Sequence, residues 1–261
     1  MLVAYHKDPM KKKIYLLILT LFIIFIIDSV WGKNPYLQDL SNILEPPSSR
    51  HLLGTDYLGR DFLARLTESV KISIGLAMFS TFVSLLLGTA LTVLASTQNR
   101  IVENTISLVA DGIAAVPALI WVLLCAAIAP GAKWALYSGL IFTAWIEFFR
   151  YLKPTVRHLM LGEPVQAARL LGFKELYIFQ HYLWPEIKSG LTKIYCYGVA
   201  SAVLAVAALG FIGVGIRPPT AELGLMMSEL LPYYLEAPWL LIFTVFLLIA
   251  TILTLKSLAK T

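Results

Sequence analysis

Several nearly charge-free runs of close to twenty apolar residues restrict the fold of this chain more than any other feature. A helix of about 20 apolar residues crosses the hydrocarbon core of a bilayer. Backbone groups inside that core must find hydrogen-bond partners within the chain, which favours helices. Only 14% of the residues are charged and 58% are hydrophobic, whereas soluble domains carry about 25% charged residues. The pattern predicts an all-α, polytopic membrane protein.

The apolar runs predict six transmembrane helices, which together form one domain, 14–256, between terminal tails 1–13 and 257–261. The first run follows basic residues, as in a signal peptide, but no small-residue cleavage pattern comes after it, so we interpret it as an uncleaved span. The fourth run is the weakest, because it is short and contains Glu147. The predicted spans are roughly 14–31, 72–96, 105–129, 134–150, 191–215 and 238–256.

Lysine and arginine are more frequent on one side of the predicted membrane than on the other, which fixes the orientation. The N- and C-termini and the long loop 151–190 are predicted to lie in the cytoplasm, and segment 32–71 to lie outside. Segment 32–71 is also rich in basic residues, but acidic residues balance them. The basic residues occur in short segments between apolar runs and not in one surface stripe, which argues against a nucleic-acid partner.

The cytoplasmic loop contains the stretch EPVQAARLLG at 163–172, followed by Trp184-Pro185. It predicts a short helix that ends at Gly172. A second amphipathic helix is expected after it, with Leu176, Phe179 and Leu183 on one side. Two such helices suit either docking into the groove of a partner or covering the ends of the spans, and their spacing leaves both open.

The same stretch resembles the EAA loop of ABC importer permeases, in which EAA is followed by three residues, Gly, nine residues and I-x-L-P. Ala167, Ala168, Gly172 and Pro185 are in the register of the motif, and Gln166 replaces its Glu. The resemblance implies that the loop forms coupling helices in a cleft of an ATPase subunit. The residues to which it assigns this coupling role are Glu163, Gln166, Ala167, Ala168, Arg169, Gly172 and Pro185.

Two further boxes, HLLGTDYLGRD at 51–61 and LGFIGVGIRPPT at 209–220, resemble those of the C-type permease of the peptide/nickel class of ABC importers. The glycines of the second box suit close helix packing, and its proline pair is expected to end the fifth span. The charged residues of the first box either pair locally or face a binding protein, and local pairing is favoured. The box residues are Gly54, Thr55, Asp56, Gly59, Arg60 and Asp61, and then Gly210, Gly213, Gly215, Pro218 and Pro219.

The resemblance implies a type I ABC importer permease in a bacterial inner membrane, carrying nickel, metal–chelator complexes or small peptides. The sequence contains no phosphate-binding GxxxxGK[ST] loop, so ATP and Mg²⁺ would be bound by partner ATPase subunits, and this chain would hold no cofactor and would not be an enzyme. The implied partners are a second homologous permease, two ATPase subunits, an extracytoplasmic solute-binding protein and membrane lipid.

Two other functions compete with this reading. A secondary transporter or channel would be expected to show an inverted repeat or a relay of buried carboxylates, and neither is visible. An intramembrane enzyme would need a catalytic group at membrane depth. Asp111 and Glu147 are expected near the ends of spans, in interfacial or structural roles, and the four histidines lie outside the spans and form no metal site.

Overall fold

The computed structural model describes residues 31–97 and 100–259, and the regular structure within these ranges is helical. The predicted first span, 14–31, lies almost wholly outside the described residues. The chain also contains a π-helical turn, Phe179–Leu183, and a 3₁₀ turn, Leu231–Tyr233. The helices are α1 (Phe62–Thr97), α2 (Arg100–Ala114), α3 (Ala118–Ile128), α4 (Lys133–Met160), α5 (Glu163–Leu170), α6 (Glu175–Ile178), α7 (Trp184–Phe211), α8 (Leu223–Leu230) and α9 (Pro238–Ala259).

Three stretches of the described chain are long and apolar enough to cross a membrane: Phe62–Ser96, Glu175–Phe211 and Pro238–Ala259. The pair of α2 and α3 makes a fourth if the two helices together form one span. Helix α4 contains the predicted fourth span, but it is too polar to be counted with them. It packs against α1, α3 and α7, so its polar residues have protein neighbours as well as lipid.

The predicted third span, 105–129, is not a single helix. The axes of α2 and α3 differ in direction by 79°. Pro117 precedes α3 and has no N–H to continue the α2 ladder. The indole Nε1 of Trp121 donates a hydrogen bond of 3.0 Å to the carbonyl oxygen of Ile113, so one carbonyl at the end of α2 has a partner.

Helix α1 forms the most extensive helix–helix interface of the described chain, with α4, and also packs against α7. Its contact with α4 depends on Gly88, because a Cβ there would lie 2.6 Å from both the Cβ of Phe148 and the carbonyl oxygen of Trp145. Close approach at a small residue is the usual way in which helices associate where no hydrophobic effect drives them together.

The end of the fifth span differs from the prediction. Helix α7 ends at Phe211, before Pro218-Pro219. Gly213 adopts a φ of +82°, and the backbone N–H of Val214 donates to the carbonyl of Leu209. A glycine in this conformation terminates a helix by itself, so the proline pair lies in the loop that follows.

The second helix predicted for the loop 151–190 also differs from the prediction, because α6, the π turn and α7 form one continuous run. Leu176 is exposed, whereas Ile178, Leu183 and Ile187 are buried. A π turn inserts an extra residue into the helical repeat. It therefore rotates the buried face away from the one that a regular helical repeat predicts.

The α1–α4 contact gives a first prediction. Gly88→Ala should lower the free energy of unfolding of the detergent-purified protein by about 1–3 kcal/mol, the usual cost of overpacking, because its new methyl group meets backbone atoms. Its melting temperature should fall accordingly. Gly75→Ala is the matched control, since a Cβ at this other α1 glycine meets nothing within 4 Å. Equal melting temperatures for the two variants would contradict the packing argument.

Candidate functional site

The loop 151–190 is attached to the long helices through one side of α5. Val165 and Ala168 of α5 are buried in a cluster to which α4 contributes Leu152 and Val156, and α7 contributes Ile187. Pro164 occupies the first turn of α5, where its missing N–H costs nothing. The other side of α5, with Gln166, Ala167 and Arg169, is exposed. Helix α5 is therefore packed directly against α4 and α7.

The turn after α5 presents apolar side chains to the outside. Gly172 has a φ of +82°, and no atom lies within 4 Å of the position where its Cβ would be. The backbone conformation, and not lack of space, therefore favours glycine at this position. Around the turn Leu170 is 90% exposed, Leu171 77% and Leu176 67%. We call Leu170, Leu171 and Leu176 the exposed leucine patch.

The polar residues of the loop bond within the loop or to α4. The side-chain amide of Gln166 donates a hydrogen bond of 2.7 Å to the carbonyl oxygen of Met160, the last residue of α4. A carboxylate only accepts hydrogen bonds, so the Glu of the family motif could not make this contact when ionised. Arg169 pairs with Glu175 at 3.1 Å. Glu163 lies in the first turn of α5 and Pro185 in the first turn of α7.

The box at 51–61 folds into a tight loop that ends at the start of α1. Gly54 and Gly59 have φ values of +81° and +70°, and a Cβ at Gly59 would collide with the carbonyl oxygen of Asp39. The buried Thr55 hydroxyl donates a hydrogen bond of 2.6 Å to the carbonyl of Asn42. These residues therefore hold the loop against its own preceding segment.

Asp61 connects several elements at the beginning of α1. Its side chain accepts a hydrogen bond of 3.0 Å from the backbone N–H of Ala64, which caps the helix. It also accepts from the indole of Trp31 at 3.0 Å. Its second oxygen lies 2.9 Å from Nδ1 of His51 and 3.2 Å from Nζ of Lys33.

A buried ionic cluster of Asp56, Arg60, Arg65 and Glu229 lies beside this cap. Asp56 Oδ2 is 2.6 Å from Nε of Arg60 and 3.2 Å from Nε of Arg65. Arg65 Nη2 donates to Glu229 of α8 at 2.8 Å. Both arginine side chains are 1% exposed, and two carboxylates balance the two guanidinium groups. Asp56 and Arg60 thus pair within the box, Asp61 pairs both with His51 of the box and with Lys33 before it, and Arg65 joins the box to α8.

The sequence analysis did not single out three buried polar residues of this region: Arg65, Glu222 and Glu229. Glu222 is fully buried and accepts hydrogen bonds from the backbone N–H of Leu225 at 2.9 Å and from the hydroxyl of Ser73 at 3.2 Å. Burial raises the pKa of Glu222, and these hydrogen bonds oppose the rise. Glu222 also packs against Gly210 of α7. The contacts of Arg65 with Glu229 and of Ser73 with Glu222 join positions far apart along the chain, so no short-range pattern predicts them.

The comparisons with known proteins agree with this architecture. Residues 83–260 match the model of the family described as binding-protein-dependent transport system inner membrane component. The dipeptide transport system permease protein DppC of Alkalihalophilus pseudofirmus is 30% identical over 91% of this chain and 79% of its own length. The nickel transport system permease protein NikC of Escherichia coli is 27% identical over 87% of this chain and 82% of its own length.

A solved chain of the MetNI methionine ABC transporter, in an inward-facing conformation, has a similar fold. Its TM-score is 0.55, with 17% sequence identity, over 75% of this chain and 94% of that chain. The protein therefore belongs to the family of binding-protein-dependent transport system inner membrane components. More narrowly, it is a C-type permease of the peptide/nickel class of ABC importers, integral to the membrane, and the resemblance read from its sequence is confirmed.

The ionic cluster gives a second prediction. Glu229→Met removes one of the two carboxylates that contact the buried Arg65 guanidinium. Removing one partner of a buried ion pair lowers the free energy of unfolding by about 3–5 kcal/mol. The double variant Arg65→Met with Glu229→Met should recover part of this loss, because no uncompensated charge remains at the contact. Thermal unfolding in detergent measures both.

The control for that experiment is an exposed ion pair. Arg150 and Asp111 lie 2.7 Å apart with side chains 53% and 67% exposed. Asp111→Asn should therefore change stability by about 1 kcal/mol or less. A Glu229→Met effect no larger than that of Asp111→Asn would show that the buried cluster does not fasten α8 to the box.

Proposed function

We propose that this chain lines the substrate path of an importer and couples it to ATP hydrolysis on partner subunits. The observation that carries the proposal is the exposed leucine patch on a turn packed directly onto α4 and α7. Exposed apolar patches of this kind mark interaction sites, and helices that present them dock into grooves. The occupant is an ATPase subunit, since the family transports with the aid of other components and this sequence has no phosphate-binding loop.

The complete importer then consists of this chain, a second homologous permease, two ATPase subunits that bind ATP and Mg²⁺, and an extracytoplasmic solute-binding protein. This chain is not catalytic and contributes the path and the coupling helices. The names of its relatives support small peptides or nickel as the transported class, and metal–chelator complexes belong to the same range. Nucleotide bound to the partners shifts the balance between two conformations of the permease pair.

The buried and exposed neighbours on α5 provide a sharp test of coupling. Ala167→Glu adds a charge to the exposed side, so membrane abundance should stay normal while uptake falls at least about tenfold, as expected for a central interface residue. Ala168→Glu adds the same charge to a residue that is 2% exposed and should lower abundance instead. Gly172→Glu, at the turn, should behave like Ala167→Glu.

Uptake into cells, membrane abundance and co-purification of the ATPase subunits are measured for each variant. Glu186→Gln serves as the control, because Glu186 is exposed and lies beyond the turn, in the first turn of α7. Normal uptake by both Ala167→Glu and Gly172→Glu at normal abundance would rule out the loop as the coupling element. ATP-independent uptake that collapses with the proton gradient would favour a secondary transporter.

Orientation is tested separately by labelling. We propose that both termini and the exposed leucine patch lie in the cytoplasm and that the box at 51–61 lies outside. In a variant without Cys125 and Cys196, a membrane-impermeant thiol reagent applied to intact cells should label Ser48→Cys and spare Lys174→Cys until the membrane is opened. Both positions are exposed. Labelling of Lys174→Cys in intact cells would invert the topology.

A further inference from the structure

The sequence predicted Glu147 near the end of a span. In the structure it lies near the middle of helix α4, which continues to Met160. The cavity that it lines is also bordered by Ser80 and Ser201, which lie near the middle of α1 and α7. A carboxylate at such a level is costly, and by default it indicates a functional site.

The cavity has a volume of about 90 Å³ and lies between α1, α3, α4 and α7. Its polar lining consists of hydroxyl groups and one carboxylate, and the remainder is small or apolar. Leu119, Glu147 and Ser201 are exposed at its edge, so it is open to the outside of this subunit. The polar residues of the lining are Ser80, Thr81, Thr143, Ser201 and Glu147.

Two hydroxyl groups of this wall, those of Ser80 and Thr143, offer acceptors toward the cavity. Ser80 donates its proton to the carbonyl of Leu76 at 2.8 Å, and Thr143 donates to the carbonyl of Gly139 at 3.2 Å. A hydroxyl whose proton is used in this way has only lone pairs left to offer. No lysine, arginine or histidine lines the cavity. The wall is therefore suited to a ligand that brings both positive charge and N–H donors.

The basic residues of α4 nearest to Glu147 along the helix are engaged elsewhere. Arg150 pairs with Asp111 at 2.7 Å. Lys153 lies 3.1 Å from Glu103 and donates to Ser107 at 2.7 Å. Within the described ranges no basic side chain forms an ion pair with Glu147. The Glu147 carboxylate therefore has no cationic partner among the described residues of this chain.

A second cavity continues from the same carboxylate. It has a volume of about 190 Å³ and is lined by Val116, Pro117, Ala118, Glu147 and Arg150, at the break between α2 and α3. Glu147 therefore stands between two cavities that follow one another along α4. Both cavities therefore have the same carboxylate in their lining.

We propose that Glu147 and its hydroxyl wall form a substrate-binding site that receives a protonated primary amine, as at the N-terminus of a small peptide. This inference rests on the proposed function as an importer permease. A bare divalent metal ion fits less well, since metal sites in proteins take several ligands and the described ranges contain no group of three His, Cys, Asp or Glu residues that could hold one. An amine needs one carboxylate and several acceptors, which this wall supplies.

The test uses the complete importer, with its partner permease, ATPases and binding protein, in liposomes. Free and N-acetylated di- and tripeptides are supplied together with ATP, and Ni²⁺ is supplied in a separate assay. Glu147→Gln should reduce the initial rate of uptake of free-amine peptides about ten- to a hundredfold, the factor that a charge-assisted hydrogen bond supplies. Basal ATP hydrolysis and assembly should remain at the wild-type level. Glu147→Asp should restore most of the rate, and Glu186→Gln should have no effect.

Four results would overturn the inference and leave the importer function intact. The first two are that Glu147→Gln does not change peptide uptake, and that the wild-type complex takes up acetylated and free peptides equally well. The other two are that the complex takes up Ni²⁺ but no peptide, and that the Glu147→Gln variant fails to assemble with the second permease. The last result would assign Glu147 to the subunit interface. Absence of ATP-dependent uptake of any probe by the wild-type complex would instead overturn the proposed function itself.

Discussion

The close contact between α1 and α4 at Gly88 is the interaction on which the other features depend. Helix α1 begins at the Asp61 cap and the ionic cluster, borders the cavity beside Glu147 near its middle, and borders the α5 side near its C-terminal end. Helix α4 carries Glu147 at its middle, and the carbonyl of its last residue accepts the hydrogen bond from Gln166. The ionic cluster, the cavity and the turn with the exposed leucine patch thus all adjoin one packed pair of helices.

The polar groups of the protein are distributed according to what surrounds them. The ionic cluster is buried and internally balanced, and it fastens the box to α8. Exposed pairs such as Arg169 with Glu175 contribute little to stability, and they leave the adjoining leucines free for a partner. Glu147 differs from the buried cluster and from the exposed pairs. It forms no ion pair in the described part of the chain, and it is only partly exposed.

Much of the architecture could be predicted from the sequence, because apolar runs and turn residues act locally. The length of the runs predicted the helical membrane fold, and Gly172 was expected at a helix end. The predictions that were wrong concerned features whose geometry is not encoded in local sequence patterns. The π turn rotated the face that Leu176 was expected to share, and Gly213 ended α7 before the proline pair. The link from Arg65 to Glu229 spans 164 positions, and no short-range rule predicts such a pair.

The hydrogen bond from Gln166 to the last carbonyl of α4 determines how the contact between α5 and α4 responds to pH and salt. An amide neither titrates nor carries a net charge, so its bond to a carbonyl is unaffected by protonation and little affected by salt, unlike an ion pair between exposed charges. This hydrogen bond between α5 and α4 is therefore expected to be insensitive to pH and nearly insensitive to ionic strength. A charged side chain in place of Gln166 would make the same junction depend on both.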